Sequence, residues 1–318
     1  VKKLKVLVIG DAVVDEYHYT HPLGKSGKES LVATKWLHHE SFAGGVFALA
    51  NHVAGFCESV TVLTCLGAKE SHEPFFREHV KSNITPAFFY RDDVVTTVKR
   101  RFLDAQFFTK LFESYHFDDS PLPEAVESQV WRYLADHIRE FDCVIVLDYA
   151  HGFLSPHLIN FICGTARHLA VNTQMNAANT GFNPITKYPR LDYACLSEPE
   201  LRLSLHDRHS DLESLVRKIS EQLGALRVMV TRGPGGALGY APESGFFPVP
   251  VLSHKVVDRV GAGDALLGVT APCIAANFPM DLVGFIGGVT GAMAVAIVGN
   301  KSSIEFKDLS RSIKSMLS

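Results

Sequence analysis

The sequence predicts an α/β fold: a mainly parallel sheet covered by helices on both faces, with a small β flap attached. Three observations predict it. Short β-branched runs recur along the 318-residue chain, helical stretches separate them, and two segments break that alternation with strand-like patterning of their own.

The β-branched runs fall at residues 5–11 (KVLVIGD), 59–67, 142–149, 168–173, 193–197 and 226–233. Each ends in a turn residue or small polar group, as buried parallel strands do. Between them, residues 44–56, 124–141, 155–167 and 210–224 read as helices. Ligands of such folds gather at the carboxyl ends of the strands. Those ends carry Asp11, Asp148, Asn172, Glu198 and the run Thr231-Arg232-Gly233. Residues 12–42 and 86–114 are expected to pair with each other as an antiparallel flap, or lid. The whole of 1–318 reads as one domain, without internal repeat or low-complexity linker.

Composition bounds the function. Apolar residues make up 47% and charged residues 20%, ordinary for a soluble globular enzyme, and a net charge of −3 gives no case for nucleic acid or an anionic membrane. No apolar run is long enough to span a bilayer, and the opening residues read as a strand rather than a signal peptide. The six cysteines contain no CxxC pair, so they read as reduced, mostly buried thiols of a cytoplasmic protein. The first residue is valine rather than methionine, which suits a piece trimmed from a longer chain.

Several local patterns mislead. Gly24-Lys25-Ser26 lacks the glycine a phosphate-binding loop needs five residues earlier, where Tyr19 stands. The glycine-rich run 233–239 is not GxGxxG and enters a strand, so a dinucleotide site is not expected. His38 and His39 are adjacent and point to opposite sides of any strand, a poor start for a metal site.

The informative stretch is VVDRVGAGDALLG, residues 256–268. A glycine turn opening an apolar helix leaves unpaired N–H groups and the positive end of the helix dipole facing outward, which makes an anion site. Locally, Asp264 is either an N-terminal helix carboxylate or a base beside a bound phosphate.

Asp258-x-x-Gly261-Ala262-Gly263-Asp264 resembles the DxxGAGD signature of the ribokinase-like (PfkB-type) carbohydrate kinases. Residues 6–19 and 43–56 resemble that family's sugar-binding N-terminal motifs. Within the family, Gly10-Asp11-x-x-x-Asp15-x-Tyr17, Lys99-x-Arg101 and the stretch 146–156 are most similar to bacterial heptose 7-phosphate kinase domains. The resemblance implies a ribokinase-like three-layer sandwich and ATP-dependent phosphorylation of a sugar or sugar phosphate with Mg²⁺. It implies Asp264 as general base, with the N–H groups of Gly261, Ala262 and Gly263 as anion hole. Asp11, Asp15, Gly44, Gly45 and Asn51 would bind the sugar, while Lys99 and Arg101 would clamp a phosphate already on it. Asn172, Thr231, Gly233, Gly236, Asp258 and Gly288 would contact the nucleotide, and Glu198 would organise the metal. Read from the residues alone, Asp11 and Asp15 could be turn carboxylates, Glu198 a helix-start carboxylate, and Lys99 and Arg101 a solvated strand face.

The chain departs from the family pattern at Ala48 and Cys195, where asparagines are usual. It departs too at Gln174 and His151, where lysine or another basic residue is usual, and at Arg259, which is usually small or hydroxylic. Arg259 could hold phosphate or fill the site. These replacements leave a second reading open: a weakened kinase-like domain serving as a binding, regulatory or dimerising module of a larger sugar-nucleotide enzyme. Either reading is compatible with fusion to a nucleotidyltransferase domain. The aromatic residues of segment 86–114 lead to the expectation of a homodimer formed through the lid.

Overall fold

In a computed structural model that describes residues 1–318 except 93, 254 and 318, the chain forms two sheets. The larger has nine strands in the order β13-β12-β11-β10-β9-β8-β1-β4-β5. Its core is β1 (Lys5–Gly10), β4 (Ser59–Gly67), β5 (Ile84–Arg91), β8 (Cys143–Asp148), β9 (Leu169–Thr173), β10 (Tyr193–Ser197) and β11 (Arg227–Thr231), all parallel. β12 (Ala237–Ala241) and β13 (Gly245–Val249) add an antiparallel edge. The expected parallel strands are all present.

Side-chain alternation along β1 divides the core in two. Val6 and Val8 pack with α1 (Val46–Ala54), α7 (Ala262–Ala275) and α8 (Met280–Ala294) through Phe47, Leu49, Leu267 and Val283. Leu7 and Ile9 pack on the opposite face with α3 (Glu124–His137), α4 (Pro156–Thr165) and α6 (Leu212–Leu223) through Leu134, Ile162 and Ile219. α2 (Glu73–His79) adds Phe76 to the first layer, α5 (Glu198–Ser204) adds Leu201 to the second, and α9 (Phe306–Leu317) packs beside α8. This is the three-layer α/β sandwich expected. No helix among the described residues is long and apolar enough to cross a membrane.

The lid is a separate four-stranded sheet ordered β3-β2-β6-β7, built from β2 (Ala12–Lys25), β3 (Val32–Gly45), β6 (Thr97–Asp104) and β7 (Thr109–His116). It differs from expectation in two ways. Residues 84–91 are not lid; they form β5 at the edge of the large sheet, which takes Phe88, Phe89 and Tyr90 away from the flap. Nor is the pairing simply antiparallel: two antiparallel hairpins, β2–β3 and β6–β7, are joined by the parallel pair β2–β6. A strand-like pattern specifies alternation, not partner direction, so both errors lie in non-local pairing.

Gly10 ends β1 where the chain turns from the large sheet into the lid. A Cβ there would overlap the Leu147 carbonyl of β8. Gly10→Ala is expected to destabilise the protein by about 1–3 kcal/mol through forced backbone displacement, read as a lower urea midpoint at unchanged slope.

Candidate active site

Two cavities meet at the start of α7. The first, about 450 Å³, lies between the lid and the carboxyl ends of β8 to β11, and its walls include Asp15, Lys99, Tyr149, Glu200 and Asp264. The second, about 490 Å³, is more apolar and lies between the loop after β11 and helices α7 and α8, with Leu252, Val256, Leu266 and Val295 in its walls. Thr231, Arg259 and Gly263 line both. A compound seated in one cavity therefore abuts a compound seated in the other beside the first turn of α7.

That turn is built by backbone geometry. Gly261 is the residue before the helix, with φ 80°, and a Cβ on it would overlap the Asn300 side-chain oxygen. Glycine meets both demands. Gly261 and Gly263 face the first cavity, and Ala262 faces the second, its N–H leaning on the Arg259 carbonyl at 3.4 Å. Asp264 follows as the third residue of the helix and is almost wholly buried. Burial, helped by the neighbouring Asp15 carboxylate, pushes its carboxyl up to about 7, against the pull of Lys99 and the Tyr149 hydroxyl. A carboxylate poised near neutrality suits proton transfer.

The lid supplies the charged wall. Asp15 is buried and ion-paired with Arg101, and it accepts a hydrogen bond from Asn300 Nδ2 at 3.1 Å. Gly44 lies against it, since a Cβ there would overlap the Asp15 carboxylate, and Gly45 lines the cavity with φ 57°. Arg101 also pairs with Glu113 at 3.3 Å, so its fork is engaged within the lid. Lys99 has no ion-pair partner among the described residues. Its ammonium sits over the Tyr149 and Tyr115 rings at 4.5 and 5.3 Å, and burial lowers its pKa despite the attraction of Asp15.

Of the residues expected to contact the nucleotide, Asn172 lines the first cavity and donates to the Cys195 carbonyl at 2.7 Å. Gly233, Gly236 and Gly288 line the second cavity. Arg259 stands at the junction, with no ion-pair partner for its guanidinium among the described residues.

Four expected residues lie elsewhere. Asp11 is turned away from the first cavity; it accepts the Tyr149 N–H at 2.9 Å, and burial together with Asp148 pushes it up to about 7. Asn51 faces a different cavity of about 380 Å³, where it bonds the His79 carbonyl and the Lys81 N–H. Asp258 lies behind the turn, bonded to Tyr17, Lys110, Gly299 and Val260. Glu198 is paired with Arg202 at 2.8 Å and Arg232 at 3.6 Å and does not line the first cavity.

Glu200 does line it, and sequence reasoning missed it. Its carboxylate accepts the Met175 and Ser197 N–H groups at 3.0 and 2.7 Å, completing a capping box at the start of α5, and burial raises its pKa. Ser197-x-x-Glu200 was the available signal. Tyr149 was also missed. The asparagine-rich loop holds its strand end, with Asn179 Nδ2 donating to the Tyr149 carbonyl at 2.8 Å and Asn183 Nδ2 to the Asp148 carbonyl at 2.8 Å. Among the departures, Cys195 and Gln174 line the first cavity, whereas Ala48 faces the cavity that contains Asn51. His151 lies beside Asp11, its pKa lowered to about 3 by burial and by Lys99, so it supplies no positive charge.

The sequence matches the pfkB family carbohydrate kinases over residues 3–306. A bifunctional protein HldE of Pelobacter propionicus is 25% identical over 313 residues, covering 95% of this chain and 62% of that protein. One from Campylobacter jejuni strain RM1221 is 23% identical over 319 residues, covering 99% of this chain and 66% of that protein. The chain thus spans about three-fifths to two-thirds of the length of these relatives. Among solved structures, Escherichia coli phosphofructokinase-2 in complex with substrates and products has a TM-score of 0.77 at 16% identity, covering 100% of both chains. Thermotoga maritima ribokinase has a TM-score of 0.74 at 17% identity, covering 98% of this chain and 99% of that one. The fold is ribokinase-like, and the chain belongs to the pfkB family of carbohydrate kinases.

Proposed function

We propose that the protein transfers the γ-phosphoryl group of ATP to a hydroxyl of a sugar or sugar phosphate, with a heptose 7-phosphate-like substrate favoured. One observation carries the reading: a polar cavity and a more apolar one meet at the glycine turn beside a buried carboxylate poised near neutrality. The polar cavity suits a polyol, and the apolar one suits a nucleobase and ribose. The heptose preference is supported by the similarity to bifunctional HldE proteins and by the unpaired Lys99, which is placed to meet an anionic substituent.

In this mechanism Asp264 accepts the proton of the attacking hydroxyl. The hydroxyl oxygen forms a bond to the γ-phosphorus, the bridging bond to the β-phosphate breaks, and ADP leaves. The first turn of α7 stabilises charge on the transferring group, with Arg259 at the junction to assist. Asp15, held by Arg101 and Asn300, orients the sugar. Magnesium on nucleotide phosphates keeps much of its water and takes one or two carboxylates. Glu200, a carboxylate in the wall of the first cavity, would hold the ion in place of Glu198, and the ion would neutralise phosphate charge.

The proposal places the chain in the cytoplasm, with a nucleotidyltransferase domain on the same polypeptide. Leu31, Val32, Trp36, Phe107 and Phe112 leave the lid with exposed apolar side chains, and a second copy of the lid is the proposed partner for them.

Asp264→Asn keeps size and cannot take the proton, so turnover over a panel of heptose, hexose and pentose phosphates should fall by about 10²–10⁴-fold. Nucleotide affinity should barely change. Undiminished turnover would make Asp264 a structural cap.

With Asp264 as base, kcat/KM for the sugar should rise with pH through about 7 as the carboxyl loses its proton. A flat profile between about pH 6 and 8 contradicts that assignment.

Light scattering at micromolar concentration should give twice the 35.0 kDa chain mass. Trp36→Glu should return it to the monomer value, whereas a monomeric parent chain removes the lid dimer.

A further inference from the structure

The carboxylate that opens the glycine-turn signature does not face either cavity, yet it is almost fully buried and fully engaged. Its Oδ1 accepts from Lys110 Nζ at 2.6 Å and from the Val260 N–H at 3.1 Å. Its Oδ2 accepts from the Tyr17 hydroxyl at 2.6 Å and from the Gly299 N–H at 2.9 Å. Tyr17 and Lys110 belong to lid strands β2 and β7; Val260 belongs to the turn itself. Burial alone would raise the Asp258 carboxyl, but the bonds from Lys110 and Tyr17 outweigh it and hold it low.

These donors differ in kind. Tyr17 is wholly buried and packed edge-on against Phe42, a fixed part of the lid core. Lys110 sits on an edge strand whose other side chains are mostly exposed, and its ammonium reaches inward to a buried charge. Among the described residues, this is the one ion pair from β7 to the body of the protein. Lys110 also lines the first cavity.

We propose that Lys110 is a positioning residue for phosphoryl transfer: its ammonium on Asp258 docks the lid against the turn that carries Gly261, Gly263 and Asp264. The inference rests on the kinase reading above. Asp15 and Lys99 come from the lid, whereas Asp264 and the anion hole come from the turn, so their mutual geometry depends on that junction. Separating the lid strips a buried carboxylate of its cation, which is strongly unfavourable. The pair therefore biases the lid toward the docked position. Misplacing reacting groups by about 1 Å is enough to lose about a hundredfold in rate.

The test uses Lys110→Met and Lys110→Arg in the full chain, with sugar-dependent turnover, nucleotide binding and hydrogen exchange measured on each. Lys110→Met should lower kcat by about 10- to 100-fold with nucleotide affinity little changed, and it should speed amide exchange in β2, β6 and β7. Lys110→Arg, which keeps a cation in reach, should recover most of both losses. Unchanged lid exchange in Lys110→Met overturns the docking contact whatever the turnover. Faster exchange with undiminished kcat overturns the positioning role. Faster exchange in a protein whose parent phosphorylates no sugar upholds the docking contact and sinks the kinase reading instead.

Discussion

The arrangement depends on burying carboxylates where the parallel sheet meets the lid. Asp11, Asp15, Asp148, Asp258 and Asp264 are all buried, and an ionised carboxylate is costly to take from water without compensation. Arg101 serves Asp15, Lys187 serves Asp148 at 2.6 Å, and Lys110 serves Asp258 at 2.6 Å. Asp11 and Asp264 have no ion-pair partner among the described residues, and both are pushed up to about 7. One of them is enclosed by backbone donors at a strand end. The other opens onto the cavity, where a carboxyl that changes charge near neutrality has chemical use.

The same compensation explains how the lid is built. Joining two antiparallel hairpins through a parallel pair sets β2 beside β6, with Asp15 opposite Lys99 and Tyr17 opposite Arg101 in register. Acid and base then stand on neighbouring strands of one lid face. Arg101 reaches Asp15 and also lies over the Tyr17 ring at 5.8 Å. The lid thus holds its own acid in place, and Lys99 keeps an ammonium facing the cavity.

Legibility followed the range of the interactions. The parallel strands and the main helices were readable because their hydrophobic patterns are local. The glycine turn was readable because its demands on φ and on space fall within a few residues. What failed was direction beyond the strand ends. Asp11 and Asp15 both follow β1, but one turns back to the Tyr149 N–H and the other into the cavity, a choice made by neighbours far away in sequence. Glu198 and Glu200 both open α5; the capping box folds only Glu200 back over Ser197. Asn51, one turn beyond Ala48, faces α2 rather than the first cavity. Asp258 was assigned to the nucleotide because it belongs to the signature, whereas its partners Tyr17 and Lys110 are lid residues that no local pattern connects to it.

Under the proposed mechanism, a base whose carboxyl sits near 7 imposes a further condition on the site. An approaching polyphosphate brings negative charge toward Asp264 and, by the same electrostatics through which Asp15 acts, favours the protonated form that cannot accept a proton. The site must therefore add positive charge as the nucleotide arrives. The first turn of α7 contributes its dipole, Lys99 already pulls the Asp264 carboxyl down, and Arg259 stands where the cavities join. On the proposed reading, Arg259 offsets ligand charge beside the base from the junction of the two cavities, which a small hydroxylic residue could not do. Gln174 is uncharged and His151 is kept neutral by burial and by Lys99, so on that reading the demand falls on Arg259 and Lys99.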